Sequence, residues 1–163
     1  MSDEVRDGSH DFDFEFGEWT VELSRLVEPL TGSNSWVEYQ GTSVVRPVWG
    51  GRANLGELDL EGPAGHIQGL SLRLYSPDSG QWSIFWASSK DGALGEAMVG
   101  AFHGGIGEFH NGELFDGKPI DVRFFFTEVT RNSFQLEQAF SDDDGSSWEA
   151  NWIARFSLVN DKL

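Results

Sequence analysis

Apolar and polar residues alternate with a period near two along almost the whole chain. In EWTVELSRLV, from Glu18, the side chains of Trp19, Val21 and Leu23 fall on one face and those of Glu18, Thr20, Glu22 and Ser24 on the other, as in a half-buried strand. LSLRLY sets Leu70, Leu72 and Leu74 against Ser71 and Arg73, and WSIFW puts Trp82, Ile84 and Trp86 together. IDVRFFFTEV sets Ile120, Val122, Phe124 and Phe126 against Asp121, Arg123, Phe125 and Thr127, and SFQLEQAFS sets Phe134, Leu136 and Phe140 against Gln135, Glu137 and Ala139. Between such runs lie SPDSGQ, HGGIG, HNGE, FDGKP and SDDDGSS, whose Asn-Gly, Asp-Gly and Gly-rich centres supply the positive φ of tight hairpins. About ten short strands are therefore predicted, with no helical stripe longer than a turn or two. Successive hairpins favour closure into an all-β, antiparallel up-and-down barrel, because closure removes exposed sheet edges. A two-sheet sandwich is the alternative, but nearly every gap after Gln81 is hairpin-sized, whereas a sandwich needs longer crossovers.

Composition sharpens this picture. The 163 residues suffice for one domain with its own core, and the lack of cysteine leaves packing to hold it together. Residues 1–10 read as a disordered acidic tail and 11–163 as a single barrel domain. Eleven basic against 27 acidic residues give a net charge of −16, which argues against nucleic acid and anionic membranes as partners. The N-terminus lacks the basic, apolar, small-residue order of a signal peptide and no apolar run is long enough to span a bilayer, so a soluble cytoplasmic protein is expected. Seven Trp and 13 Phe are more large rings than a small core needs, which suits a wide interior.

Gly17-Glu18-Trp19, preceded by the aromatic segment FDFEF, resembles the Gly-x-Trp of lipocalins and their calycin relatives. More of the chain, from about Asp11 to Phe156, is similar to a bacterial family of uncharacterised lipocalin-like β-barrels through FDFEFGEWTV, LRLYSPDSGQWSIFWASS and EQAFSDDDGSSWEANW. The resemblance implies an N-terminal turn closing the barrel bottom, and a Trp packed beside an Arg of the last strand, here Trp19 and Arg155. On that reading Phe12, Phe14 and Phe16 form a short N-terminal plug with Asp11, Asp13 and Glu15 turned to water; an ordinary edge strand is the alternative. The family brings no established activity with it.

Candidate chemistry is sparse. SDDDGSSW matches the Ser-x-Asp-x-Gly-x-x-Trp hairpin called an Asp-box, in which Ser and Asp bond backbone N–H groups above Trp148. It fails as a calcium loop: counting from Asp142, Ser147 stands where Gly is needed and Ile153 where a bidentate Glu is needed. His10, His66, His103 and His110 are too scattered for a metal set, Glu108 and His110 read as a solvated pair, and the last strand lacks the His through which some calycin-related barrels hold haem, so neither metal nor cofactor is expected. No nucleophile elbow, phosphate loop or His-Glu-x-x-His is present.

The cavity is what remains. Strand parity turns Leu70, Leu72, Leu74, Trp82, Trp86, Phe124, Phe126, Leu136, Gln138, Trp148 and Trp152 inward, and Leu72, Trp82, Trp86, Phe124, Leu136, Gln138 and Trp152 are the candidate ligand-binding residues. A small apolar or aromatic molecule is the expected partner; the alternative is an interior filled by its own side chains. Arg46, Arg73, Arg123 and Glu137 would orient a polar ligand only if a bulge turned one inward. An enzyme of the decarboxylase, cyclase or isomerase kind would need an inward acid or phenol, for which Glu38, Tyr39 and Glu137 are the candidates; its catalytic residues are not identified by spacing. A structural, oligomer-forming barrel is the third class, with Phe125 and Tyr75 as outward rings for a homodimer contact.

Overall fold

The computed structural model describes residues 6–161, and its alternating segments pair in sequence order into a closed antiparallel barrel. The ten strands are β1 (Gly17–Leu26), β2 (Trp36–Val48), β3 (Ala53–Gly62), β4 (Gly65–Ser76), β5 (Gln81–Ser88), β6 (Met98–His103), β7 (Ile106–Phe115), β8 (Lys118–Thr127), β9 (Ser133–Ser141) and β10 (Glu149–Asn160). Each pairs with its successor, and β10 returns to β1 from Glu18↔Asn160 to Arg25↔Trp152. The all-β barrel read from the sequence is thus the observed fold. One expected turn is not there: Asn111-Gly112 lies within β7, and the hairpin falls on Asp116-Gly117, both at positive φ.

The seam between β5 and β6 is the weakest. Only Trp82, Ser83 and Ile84 pair with β6, so the upper half of β5 is closed by the 89–97 loop through an Ala87↔Leu94 bridge and a Gly95 N–H bonded to the Trp86 carbonyl.

The barrel bottom is plugged by a 3-10 turn, Asp13–Glu15, that enters just before β1. Side chains at i and i+3 eclipse in a 3-10 helix, so Phe12 and Glu15 point the same way, into the barrel. The strand-like alternation that turned Glu15 to water does not apply: Glu15 is buried, as is Phe12. The Phe12 ring meets Trp82 and Phe102 edge-on at 4.9 Å each, and Phe14 packs on Phe134 at 5.2 Å. Gly17 turns the chain from plug to strand at φ 137°, where a Cβ would stand 2.5 Å from the Asn160 carbonyl oxygen, so the position requires glycine. Trp19 is buried two residues on, donating its indole N–H to the Glu15 carbonyl at 2.9 Å and meeting Phe134 edge-on.

Two expectations about this end are corrected. Arg155 does not pack on Trp19: it lies exposed beside Glu22, because successive side chains alternate across β10 and Ala154 and Phe156 take the inner face. The span 1–10 is not all tail. Met1–Val5 lie outside the described residues, but Gly8 and Ser9 are buried under the barrel, with the Gly8 N–H bonded to the Tyr75 hydroxyl and the Trp82 indole bonded to the Gly8 carbonyl. Tyr75 is therefore a base residue, not an outward ring.

Candidate functional site

Above the plug the barrel holds a cavity of about 460 Å³, within the range of about 300–1,000 Å³ usual for small-molecule sites. Its floor is Glu15, Arg73, Ser43 and Val45; its middle wall includes Ser71, Ile84, Phe124, Leu136, Gln138, Asn151 and Trp152. The rim carries Arg25 to Val27 and Pro29 from the end of β1, Gly95 and Glu96 from the 89–97 loop, and Glu113 and Phe115 from β7.

The structure brings together Trp86, Phe124, Leu136, Gln138 and Trp152 on this wall. Trp86 and Trp152 meet edge-on at 6.5 Å, and Trp86 remains 36% exposed. Gly69 makes room for it: a Cβ there would stand 1.9 Å from the Trp86 ring. Trp82 also points inward but lies lower, buried in the plug cluster, and does not line the cavity.

Leu72 lies elsewhere. Ser71 and Arg73 face the cavity, so Leu70, Leu72 and Leu74 fall on the outer face of β4, with Leu70 45% exposed. Leu72 there pairs with Leu55 and Phe85 of the adjacent strands. Hydrophobicity alone sets the leucine face inward, whereas the burial of Glu15 makes an inward arginine the favourable arrangement. Trp148 is likewise outside, capping the β9–β10 turn with the Arg123 guanidinium 4.2 Å from its ring. Arg123 also stacks on Phe125 at 4.3 Å, which covers that outward ring.

Arg73 reaches Glu15 with both terminal nitrogens, Nη1 to Oε2 and Nη2 to Oε1 at 3.2 Å, and Nη1 also donates to Asn54 Oδ1 at 3.2 Å. Its guanidinium lies 4.8 Å from the centre of the Phe12 ring. Burial pushes the Glu15 carboxyl above its ordinary pKa, opposed by the adjacent guanidinium. Such a pair is a carboxyl group and a set of hydrogen-bond donors held in place at the bottom of the cavity. Sequence reasoning missed Glu15, Asn54, Ser43, Ser71 and Asn151 and admitted Arg73 only through a bulge. FDFEF itself repeats by twos, so no pattern in the sequence set Phe12 and Glu15 on one face; the 3-10 turn does so.

The remaining candidates sit apart from the cavity. Glu38 accepts the single Ser24 hydroxyl proton, shared between its two carboxylate oxygens, Arg46 is exposed, and Glu137 pairs with the outward Phe125 on β8. Tyr39 is buried in the core without lining the cavity. Asp59, Glu61 and His66 form an exposed cluster at the β3–β4 hairpin, with His66 Nε2 2.6 Å from Asp59 Oδ1, and His110 lies 3.3 Å from Glu108. The Asp-box has its expected hydrogen bonds: Ser141 Oγ donates to Asp143 Oδ1, and the Gly145 and Ser147 N–H groups donate to Ser141 Oγ and Asp143 Oδ1, all at 2.8 Å. The Ser147 hydroxyl, which donates to Asp143 Oδ2, together with the Ser147 N–H and the Ser141 hydroxyl, lowers the Asp143 pKa to about 2.

No protein-family profile and no curated protein matches the sequence. Among solved structures the chain is similar to EF1p2_mFAP2b, determined bound to DFHBI, with a TM-score of 0.51 and 12% identity over 93% of this chain and 99% of that one. A redesigned beta barrel, mFAP0, also bound to DFHBI, gives 0.49 at 11% identity over 88% and 98% of the two chains. A de novo designed fluorescence-activating beta barrel gives 0.49 at 13% over 94% and 99%. At such identities the likeness is one of fold: a closed antiparallel β-barrel.

Proposed function

We propose that the barrel binds a small apolar or aromatic molecule in its interior, as a lipocalin-like binding protein. The observation that carries this reading is the cavity of about 460 Å³ with Trp86 and Trp152 on its wall above a closed floor. A barrel interior of this size either fills with its own side chains or admits one ligand, and here the large rings gather at the plug and leave the upper half open. The similar fold of EF1p2_mFAP2b, which holds DFHBI, supports the same use. Burying about 200 Å² of ligand surface at about 25 cal/mol/Å² contributes about 5 kcal/mol before ordering costs, so micromolar affinity requires polar contacts as well. A catalytic reading is favoured by one feature, the buried Glu15 carboxyl on the floor.

Titration of the full chain with N-phenyl-1-naphthylamine tests the binding reading. Saturable quenching of tryptophan emission at one probe per barrel is expected, and Leu136→Trp, which fills the middle of the cavity, should abolish it while circular dichroism stays unchanged. Equal quenching by wild type and Leu136→Trp would place the probe elsewhere and remove the reading.

A further inference from the structure

Buried at the floor of the cavity and behind it are hydrogen-bond donors without acceptors. Arg73 is 5% exposed; its terminal nitrogens are engaged by Glu15 and Asn54, and its Nε–H has no acceptor among the described protein atoms. Asn54, fully buried behind it, gives Oδ1 to Arg73 and leaves Nδ2 unpaired. The Asn54 amide cannot be reversed, because its NH₂ would then face the guanidinium N–H. Higher on the wall, Asn151 is 3% exposed and bonds Gln138 Nε2 at 2.8 Å through Oδ1, with its own Nδ2 unpaired. Buried donors of this kind cost free energy until an acceptor reaches them.

The charge balance narrows which acceptor fits. Arg73 is already neutralised by Glu15, and the other charged residues of the lining are Arg25 against Glu57, Glu96 and Glu113. A carboxylate ligand would enter past net negative charge and find no free cation below. An uncharged acceptor meets neither obstacle. The tryptophan wall sets the other end: Trp86 lies over Gly69, four residues up β4 from Arg73, or about 13 Å along the strand. That is the length scale of a two-ring molecule with a short acyl arm.

We infer that the cavity is a site for an uncharged aromatic molecule carrying a carbonyl-type acceptor, seated with its oxygen toward the Arg73 end of the cavity and its rings against Trp86 and Trp152. The inference rests on the binding reading above and deepens it by naming the ligand class and its orientation.

Three naphthalenes of matched size test it on the full chain: 2-acetylnaphthalene, 2-ethylnaphthalene and 2-naphthoate, each followed by tryptophan quenching and calorimetry. The ketone is expected to bind about tenfold or more tighter than the hydrocarbon, the net worth of one hydrogen bond, and the carboxylate weakest of the three. In the paired variant Glu15→Gln/Arg73→Met, which leaves no unpaired buried charge, the advantage of the ketone over the hydrocarbon should disappear. The carbonyl stretch of the bound ketone in the wild-type protein gives an answer that needs no variant: a shift to lower frequency than in hydrocarbon solvent is expected. Equal affinity of ketone and hydrocarbon with an unshifted carbonyl would overturn this inference and leave the binding reading standing, and tightest binding of 2-naphthoate would overturn the uncharged class. No saturable binding by any of the three would take down both.

Discussion

Glu15 and Arg73 are the residues on which the site and the fold meet. A buried ion pair adds little net stability over apolar groups of similar volume, but removing one partner strands the other charge away from water. Glu15→Ala or Arg73→Ala alone should therefore cost about 3–5 kcal/mol in urea unfolding, and Glu15→Gln/Arg73→Met markedly less than the sum of the two. A double variant as costly as that sum would show that the two side chains act independently. Asp143 makes the contrasting case at the surface. Its pKa is lowered from 3.8 to about 2 by the bonds from Ser147 and Ser141, so the folded state holds the proton less tightly than the unfolded chain. The stability this contributes is present above about pH 4 and is lost as pH falls toward 2. Asp143→Asn should flatten the acid limb of a stability profile in that window and leave its alkaline limb unchanged. The Asp-box was legible in the sequence because each bond is local; the Glu15 to Arg73 pair was not, because it joins residues 58 positions apart.

At the scale of the element, β4 shows how strand parity can mislead. Its leucines read as the buried face, yet a barrel wall has two faces that can hold apolar side chains, and outward Leu72 finds Leu55 and Phe85 beside it. The inner face instead carries Gly69, Ser71 and Arg73, each suited to what lies opposite: a tryptophan ring, open cavity and a buried carboxylate. The consequence is a sharp asymmetry between neighbours. Ser71→Phe should weaken N-phenyl-1-naphthylamine binding at least tenfold by filling the cavity, whereas Leu72→Phe should leave affinity within twofold; the reverse result in the same titration would restore the leucine face to the interior. On β8 and β9 the sequence parity and the structure agree, because there the inward set Phe124, Phe126, Leu136 and Phe140 faces other rings and no charge competes for the position.

For the whole molecule, the four inward tryptophans divide by height in the barrel. Trp86 and Trp152 border the cavity, while Trp19 and Trp82 are sealed in the base. Bound N-phenyl-1-naphthylamine should therefore perturb the indole resonances of Trp86 and Trp152 in an NMR spectrum and leave the Trp19 and Trp82 signals in place, whose N–H groups are held by the Glu15 and Gly8 carbonyls. Shifts confined to Trp19 and Trp82 would mean that the ligand enters from the plugged end. The sequence by itself determined the strands, most of their turns and the closed barrel, since the period of two, the positive-φ turn residues and hairpin-length gaps are all local or near-local in origin. It also determined that the interior would be rich in rings. Only the tertiary structure decided which face of β4 looks inward, that the FDFEF segment turns by threes, and that Arg73 rather than Arg155 meets the plug. Those outcomes depend on burying one carboxylate opposite one guanidinium, and the energy of that contact exists only once the barrel has closed around both.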